Sequence, residues 1–231
     1  MQLRIRASAR FPLAGVDWPR KLLIGGATGL LLEVVFMGLA FLVSEEAAIG
    51  IAPLVVGLNF PALGYILQVY RGTLRWEVGA LPEWENWPGL IRSGLTAFGV
   101  GLAYEILPIL VLLVGLSVLV KGGVFLFLGM VLMILGILAG VFMLFFVPMA
   151  LAKHIGERRI EAAFHPFVLW DGIKMVLVEY MGAYFLSLGS FILASLVALI
   201  PYLGPLVWPC VWFYLMLVQA RLFGEICAKA A

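Results

Sequence analysis

Charge is scarce in this sequence of 231 residues: only 12% of them are Asp, Glu, Lys or Arg. An average soluble domain has about 25%. Hydrophobic residues make up 64% of the chain, and the mean hydropathy is +1.12. A soluble protein of this size cannot hide so many apolar side chains, because its surface needs charge to stay dissolved. The composition excludes a soluble enzyme and a disordered regulator, and it indicates a helical membrane protein.

Cysteine and histidine are also rare. The two cysteines, Cys210 and Cys227, cannot form a disulfide framework or a four-cysteine zinc site. The sequence has no zinc-binding His-Glu-x-x-His, no Gly-x-Ser-x-Gly elbow and no phosphate loop. We therefore predict a non-enzymatic protein without a metal centre, and the sequence assigns no cofactor. A lipid-modifying enzyme using His165 and Glu161 as acid–base groups is an alternative.

Long apolar stretches predict the fold class. A hydrocarbon core of about 30 Å needs about 20 helical residues, and six stretches reach or approach that length. Their runs are continuous and lipid offers the backbone no partners, so each should be helical. We expect an all-α integral membrane bundle with six transmembrane helices. The stretches are 22–43, 47–70, 93–120, 124–152, 172–200 and 202–223.

The distribution of positive charge predicts the orientation. Fourteen of the 15 Lys and Arg residues fall on one side of the predicted helices, and only Lys121 falls on the other. Positive residues remain in the cytoplasm, so both termini should lie there and the protein should reside in the inner (cytoplasmic) membrane. We expect a single membrane domain over 1–231, with a basic segment at 1–21, the bundle at 22–223 and a tail at 224–231. The net charge of +2 is too small to draw in nucleic acid.

Two loops on the cytoplasmic side combine aromatic and charged residues. Residues 76–92 and 157–171 should lie as elbows in the lipid headgroup layer, because tryptophan prefers that interface. The predicted interfacial anchors are Trp18, Trp76, Trp84, Trp87 and Trp170.

A pattern of proline and glycine suggests a threefold hairpin repeat. In three places an aromatic ring is followed by proline and, six residues later, by glycine. Proline suits the first turn of a helix, and glycine lets that helix approach a neighbour closely. Chance is the alternative explanation, since the chain contains 26 glycines. The pairs are Pro19 with Gly25, Pro88 with Gly94, and Pro166 with Gly172.

Three acidic residues lie inside the apolar stretches. Glu33, Glu105 and Glu179 each fall in one outward-running helix. A carboxylate in hydrocarbon costs several kcal/mol, so such residues are candidates for an ion or partner site. Few cations share their depth, and we expect none of the three to have a cationic partner. The alternative is that each stays protonated and bonds to a nearby Tyr, Ser or carbonyl.

Most of the chain resembles a known family, and the residues that carry the resemblance lie near its centre. Asn59-Phe60, Leu63-Gly64-Tyr65 and Arg71-Gly72 precede Leu81-Pro82-Glu83-Trp84, and Trp87 and Gly94 follow. Together they resemble the prokaryotic membrane family called Domain of Unknown Function 4013, over about residues 15–225. The resemblance implies a six-helix membrane protein and no established reaction.

The leading functional expectation is a non-enzymatic scaffold or accessory subunit of a membrane complex, such as a bioenergetic one. Its partners would be bilayer lipid, other membrane proteins or further copies of itself. The alternative is a small transporter or channel that handles protons, cations or a small solute through Glu33, Glu105 and Glu179.

Overall fold

The computed structural model describes residues 2–42, 59–77, 79–201 and 203–230, with side chains except at 2–4, 33 and 36–42. Within these ranges all secondary structure is helical, and no strand occurs. The α-helices are α1 (Gln2–Arg10), α2 (Trp18–Leu42), α3 (Phe60–Leu74), α4 (Trp87–Leu119), α5 (Val124–Leu144), α6 (Val147–Glu157), α7 (Pro166–Met175), α8 (Leu177–Ala198) and α9 (Leu203–Cys227). Short 3-10 turns occupy Phe11–Leu13 and Glu161–Phe164.

The chain forms two compact units. Unit 1 contains residues 1–97 and 172–231. Helix α9 is at its centre and packs against α1, α2, α3 and α8. Most of the large side chains that are completely buried there come from α3, α8 and α9, and α7 adds Ile173. Those from α3, α8 and α9 include Tyr65, Val69, Tyr180, Phe213 and Leu217.

Unit 2 contains residues 98–171. It is a hairpin of α4 and α5, followed by α6 and the 3-10 turn at Glu161–Phe164. Tyr104 joins α4 to that turn, because its hydroxyl donates a hydrogen bond to the Ala163 carbonyl at 2.5 Å and its ring stacks on Phe164. Glycines line the contact between α4 and α5, where an added Cβ would collide with the opposite helix. They are Gly115, Gly129 and Gly136.

Four segments among the described residues are long and apolar enough to cross a membrane. They are Trp87–Leu119, Val124–Glu157, Leu177–Ala198 and Leu203–Cys227. They correspond to the last four predicted stretches. The first two predicted stretches, 22–43 and 47–70, extend partly outside the described residues.

Two predicted stretches each contain two consecutive helices. Both predicted elbows are partly helical, since 157–171 contains the 3-10 turn Glu161–Phe164 and the start of α7 at Pro166. Within 124–152, α5 ends at Leu144 and α6 begins at Val147, while Phe145 and Phe146 keep helical backbone angles. Pro148 has no N–H to give to the Leu144 carbonyl, so one helical hydrogen bond is missing there. The run 172–200 breaks at Val176, whose backbone is not helical (φ −124°, ψ 20°). Helix α4 begins at Trp87 rather than after the predicted elbow 76–92.

Candidate functional site

The loop before α4 packs against the start of α2, and its polar contacts there are with Lys21. The Lys21 ammonium group donates to the Leu81 carbonyl at 2.9 Å and pairs with the Glu83 carboxylate at 2.5 Å. The Lys21 carbonyl in turn accepts a hydrogen bond from the Trp84 indole N–H at 3.1 Å. Lys21 is only 9% exposed, whereas the Glu83 side chain is 58% exposed. The ion pair therefore lies at the edge of the core, with the Lys21 ammonium group buried and the Glu83 carboxylate facing outward.

Aromatic rings continue this contact into the bundle. The Trp84 ring stacks on Tyr65 of α3 with centroids 4.1 Å apart, and Phe213 of α9 lies 5.9 Å from both. The Tyr65 hydroxyl donates to the Pro82 carbonyl at 2.6 Å. Every residue of Leu81-Pro82-Glu83-Trp84 thus contacts or bonds to another part of unit 1 or is buried in it. We call Lys21, Tyr65, residues 81–84 and Phe213 the latch.

Two glycines let α3 and α4 cross at backbone contact beside the latch. A Cβ added to Gly64 would lie 1.9 Å from the Leu90 carbonyl oxygen. A Cβ added to Gly94 would lie 1.9 Å from the Phe60 carbonyl oxygen. Both distances are below any real contact, so only glycine allows this approach. The residues that carry the family resemblance therefore include the tightest crossing described in unit 1.

The latch fastens helices that are far apart in the sequence. It joins the start of α2, the middle of α3, the loop before α4 and the centre of α9. Its polar groups are used in contacts between protein groups, and its aromatic rings fill the space between helices. The arrangement can hold four segments in a fixed relation, which is a structural role.

The predicted interfacial tryptophans differ in their surroundings. Trp84 packs against protein in the latch, and its ring also lies 5.5 Å from that of Trp87. Trp76, Trp87 and Trp170 are 64%, 43% and 42% exposed, as residues in contact with headgroups would be. Trp18 begins α2 and is half-buried. Anchoring in the headgroup layer stays a prediction for these four.

Each of the three elbow prolines lies in the first turn of a helix. Pro19 is the second residue of α2, Pro88 the second of α4, and Pro166 the first of α7. The two glycines that follow Pro19 and Pro88 are at close contacts. A Cβ on Gly25 would lie 2.1 Å from the Phe213 ring, and Gly94 forms the crossing described above. The third glycine, Gly172, is buried in unit 1.

Glu179 has a cationic partner, so the expectation that it lacks one is wrong. Its carboxylate lies 2.5 Å from the Lys229 ammonium group. The reason is the break at Val176, which places Glu179 in the first turn of α8 rather than deep in a longer helix. Lys229 follows the end of α9 and reaches this turn. Both side chains are about one-third exposed.

Glu105 lies in a different setting within unit 2. It points from α4 toward Gly140 of α5, where an added Cβ would lie 3.1 Å from its Oε2 atom. Its Oε1 atom is buried and has no hydrogen-bond partner among the described residues. The Glu33 side chain lies outside the described residues.

Sequence reasoning missed the central role of Lys21, Tyr65 and Phe213. Lys21 counted only as a topology charge, although its position at the start of an apolar stretch was a sign of partial burial. Tyr65 was noticed only through the family resemblance. Phe213 is one of 16 phenylalanines, and no local pattern distinguishes it. In the described residues no group of three His, Cys, Asp or Glu side chains could hold a metal ion.

A family model described as "Protein of unknown function (DUF4013)" matches residues 47–203, more than half of the chain. The chain belongs to the DUF4013 family. The match is narrower than the predicted 15–225, so in the latch it covers Tyr65 and residues 81–84 but not Lys21 or Phe213. Comparison with curated proteins and with solved structures gives no match.

Proposed function

We propose that this DUF4013 protein is a non-enzymatic scaffold or accessory subunit of a membrane complex, and that unit 2 is the part that contacts partners. The supporting observation is the outward apolar surface of its hairpin. In the most apolar part of the Trp87–Leu119 segment only 11% of the residues are buried. In the most apolar part of Val124–Glu157 only 6% are buried. Leu107, Leu138 and Phe142 are 60%, 60% and 59% exposed.

The hairpin closes on its small residues and directs its large ones outward. The glycine contacts between α4 and α5 bring the two helices together, so bulky side chains are not needed inside. Lipid tails are as apolar as leucine, so the hydrophobic effect does not drive one transmembrane helix onto another. Association with a neighbouring protein therefore depends on how well the two surfaces fit in shape. A closed hairpin with large apolar side chains all around it can pack against transmembrane helices of another protein.

We also propose six spans with both termini in the cytoplasm. Helix α2 has 25 residues and a length of about 37 Å, enough to cross the hydrocarbon core. Helix α3 has 15 residues and a length of about 22 Å, so a second span needs residues before Phe60 as well. The three prolines at helix starts support a parallel threefold repeat of hairpins.

Cysteine accessibility tests this orientation. Val16, which is 94% exposed, and Lys121, in the turn between α4 and α5, each become the single cysteine of a variant that lacks Cys210 and Cys227. A membrane-impermeant maleimide added to intact cells should label Lys121→Cys, and Val16→Cys only after permeabilisation. Labelling of both positions in intact cells contradicts the proposed topology.

Site-specific photocrosslinking tests the scaffold function. A photoreactive amino acid replaces Leu107 or Leu138 on the outer surface of the hairpin in the native membrane. The matched control is Val69, which is fully buried in unit 1. We expect a discrete protein adduct from at least one outer position and none from Val69, with the same partner recovered in native lipid discs without crosslinking. The proposal is contradicted if the photoreactive positions form adducts only with lipid and each lipid disc contains a single copy of the chain and no other protein.

Transport of a proton or cation is the second candidate, and Glu105 is the observation that favours it. A buried carboxylate oxygen without a partner, on a membrane-spanning helix, is the kind of group that marks ion pathways. Flux measured in liposomes should then fall in Glu105→Gln and stay unchanged in Glu179→Gln, since Glu179 is already paired. Equal flux in the wild type and in Glu105→Gln excludes this use of the residue.

A further inference from the structure

We infer that Glu105 is a proton-binding site within the bilayer, occupied at neutral pH, so that the residue is a neutral carboxylic acid. The inference deepens the transport alternative by naming the ligand, but it does not depend on transport. It also stands apart from the scaffold function, because it concerns one side chain between α4 and α5. Four observations carry it.

The first observation is the position of Glu105 between distant charges. Along its helix the nearest cationic residues are Arg92 on one side and Lys121 on the other. At 1.5 Å per residue these are about 20 Å and about 24 Å away along the axis. The run between them is apolar enough to span a membrane. An ionised carboxylate at this place would be strongly unfavourable.

The second observation is the lack of a compensating group in unit 2. Helix α5, which faces Glu105 through Gly140, contains no titratable residue. Besides Glu105 and Tyr104, the charged or titratable residues of unit 2 are Lys121, Lys153, His154, Glu157, Arg158, Arg159, Glu161, His165 and Asp171. Within the described part of the chain none of these forms an ion pair or a hydrogen bond with Glu105. Tyr104, the adjacent hydroxyl, already donates to Ala163.

The third observation is the geometry of the carboxyl group itself. Its Oε1 atom is buried and unpartnered among the described residues, while Oε2 lies 3.1 Å from the position that a Cβ on Gly140 would take. A buried charged oxygen without a donor is strongly unfavourable, whereas a protonated carboxyl both removes the charge and becomes a donor.

The fourth observation is the presence of Pro108 in the same part of α4. Proline has no N–H, so the Tyr104 carbonyl four residues before it lacks its usual helical donor. A carbonyl released in this way is an acceptor close in sequence to Glu105. That carbonyl can accept a hydrogen bond but cannot donate one to a carboxylate.

Reaction with an apolar carbodiimide tests the inference directly. Dicyclohexylcarbodiimide adds a protonated carboxyl group across one of its C=N bonds: the carboxyl oxygen bonds to carbon and the proton moves to nitrogen. The O-acylisourea then rearranges to a stable N-acylurea. The purified protein in lipid discs is treated at pH 7 and at alkaline pH, and the modified residue is mapped by mass spectrometry. A water-soluble carbodiimide provides the comparison, since it reaches the Glu83 side chain, which is 58% exposed.

The expected result is modification of Glu105 by the apolar reagent at pH 7, its loss at alkaline pH, and no modification there in Glu105→Gln. Glu179→Gln is the matched control and should be modified at Glu105 like the wild type. Infrared difference spectra of the wild type against Glu105→Gln should show the carbonyl stretch of one neutral carboxylic acid. The infrared measurement still reports the protonation of Glu105 if the carbodiimide cannot reach the carboxyl group.

Two results overturn the inference. One is the absence of that infrared band at pH 7, which would mean that Glu105 is ionised. The other is protection of Glu105 from the reagent by sodium or potassium at constant pH, which would make a metal cation the resident ligand. Unchanged proton flux in Glu105→Gln, by contrast, removes the transport alternative and leaves the proton on the carboxyl group.

Discussion

The crossing of α3 and α4 makes the sharpest prediction about stability. In Gly94→Ala the new Cβ would lie 1.9 Å from the Phe60 carbonyl oxygen and 2.7 Å from its carbon. Both atoms belong to the backbone of α3, so no side-chain rotation can relieve the contact. Real Cβ contacts stay above 3.0 Å, and the helices must therefore separate by about 1 Å.

Separation on that scale should lower the free energy of unfolding by about 1–3 kcal/mol. For a chain of this size the midpoint of thermal unfolding should fall by roughly 3–10 °C. The latch shares helix α3 through Tyr65, so its stacking on Trp84 should loosen as well. Thermal unfolding in detergent micelles, followed by tryptophan fluorescence, measures both effects in one experiment.

Gly99→Ala is the matched control on the same helix. A Cβ added to Gly99 meets no atom within 4 Å, and alanine favours a helix over glycine by up to about 1 kcal/mol. Its unfolding midpoint should stay the same or rise. Equal unfolding temperatures for Gly94→Ala and Gly99→Ala would show that the crossing of α3 and α4 accommodates a methyl group, contrary to this prediction.

The double variant Gly64→Ala/Gly94→Ala adds a second check. The Gly64 Cβ would lie 1.9 Å from the Leu90 carbonyl oxygen at the same crossing. Once one methyl group has separated the helices, the second finds more room. The combined loss of stability should therefore be smaller than the sum of the two single losses. A fully additive loss would show that the two contacts open independently.

Further predictions concern the polar contacts of unit 1. Lys21→Met should lower the free energy of unfolding by about 1–3 kcal/mol, because it leaves the buried Leu81 carbonyl without its donor. Glu83→Gln should lower it by at most about 1 kcal/mol, because that side chain is exposed. Equal losses for the two variants in denaturant titrations would contradict this ranking. Tyr65→Phe removes only the hydroxyl that bonds to Pro82, so it should cost about 0.5–1.5 kcal/mol and speed proteolysis of residues 79–86. Glu179→Gln should lower the free energy of unfolding by at most about 1 kcal/mol, because the ion pair with Lys229 is partly exposed. The difference from the wild type should vanish at high salt, which screens exposed charges. A difference that persists at 1 M salt would contradict a partly exposed ion pair.

Composition and charge alone determined the class of this protein, because solubility in lipid or water depends on the amount of each kind of side chain and not on its arrangement. Apolar runs located the last four membrane-capable segments, and proline located helix starts at 19, 88 and 166, since both signals act within a few residues along the chain. The family resemblance likewise rested on a local pattern, around residues 81–84.

Tertiary structure decided what those local signals are used for. Nothing near Trp84 in the sequence distinguishes an interfacial anchor from a ring stacked on Tyr65, because the partner is on another helix. The pairing of Glu179 with Lys229 depended on a helix break at Val176 and on the distant end of α9. The isolation of Glu105 depended on which face of α5 lies opposite, and that face is set by the glycine contacts between two helices. Contacts between residues far apart in the chain depend on the geometry of helix packing, which composition and periodicity do not determine.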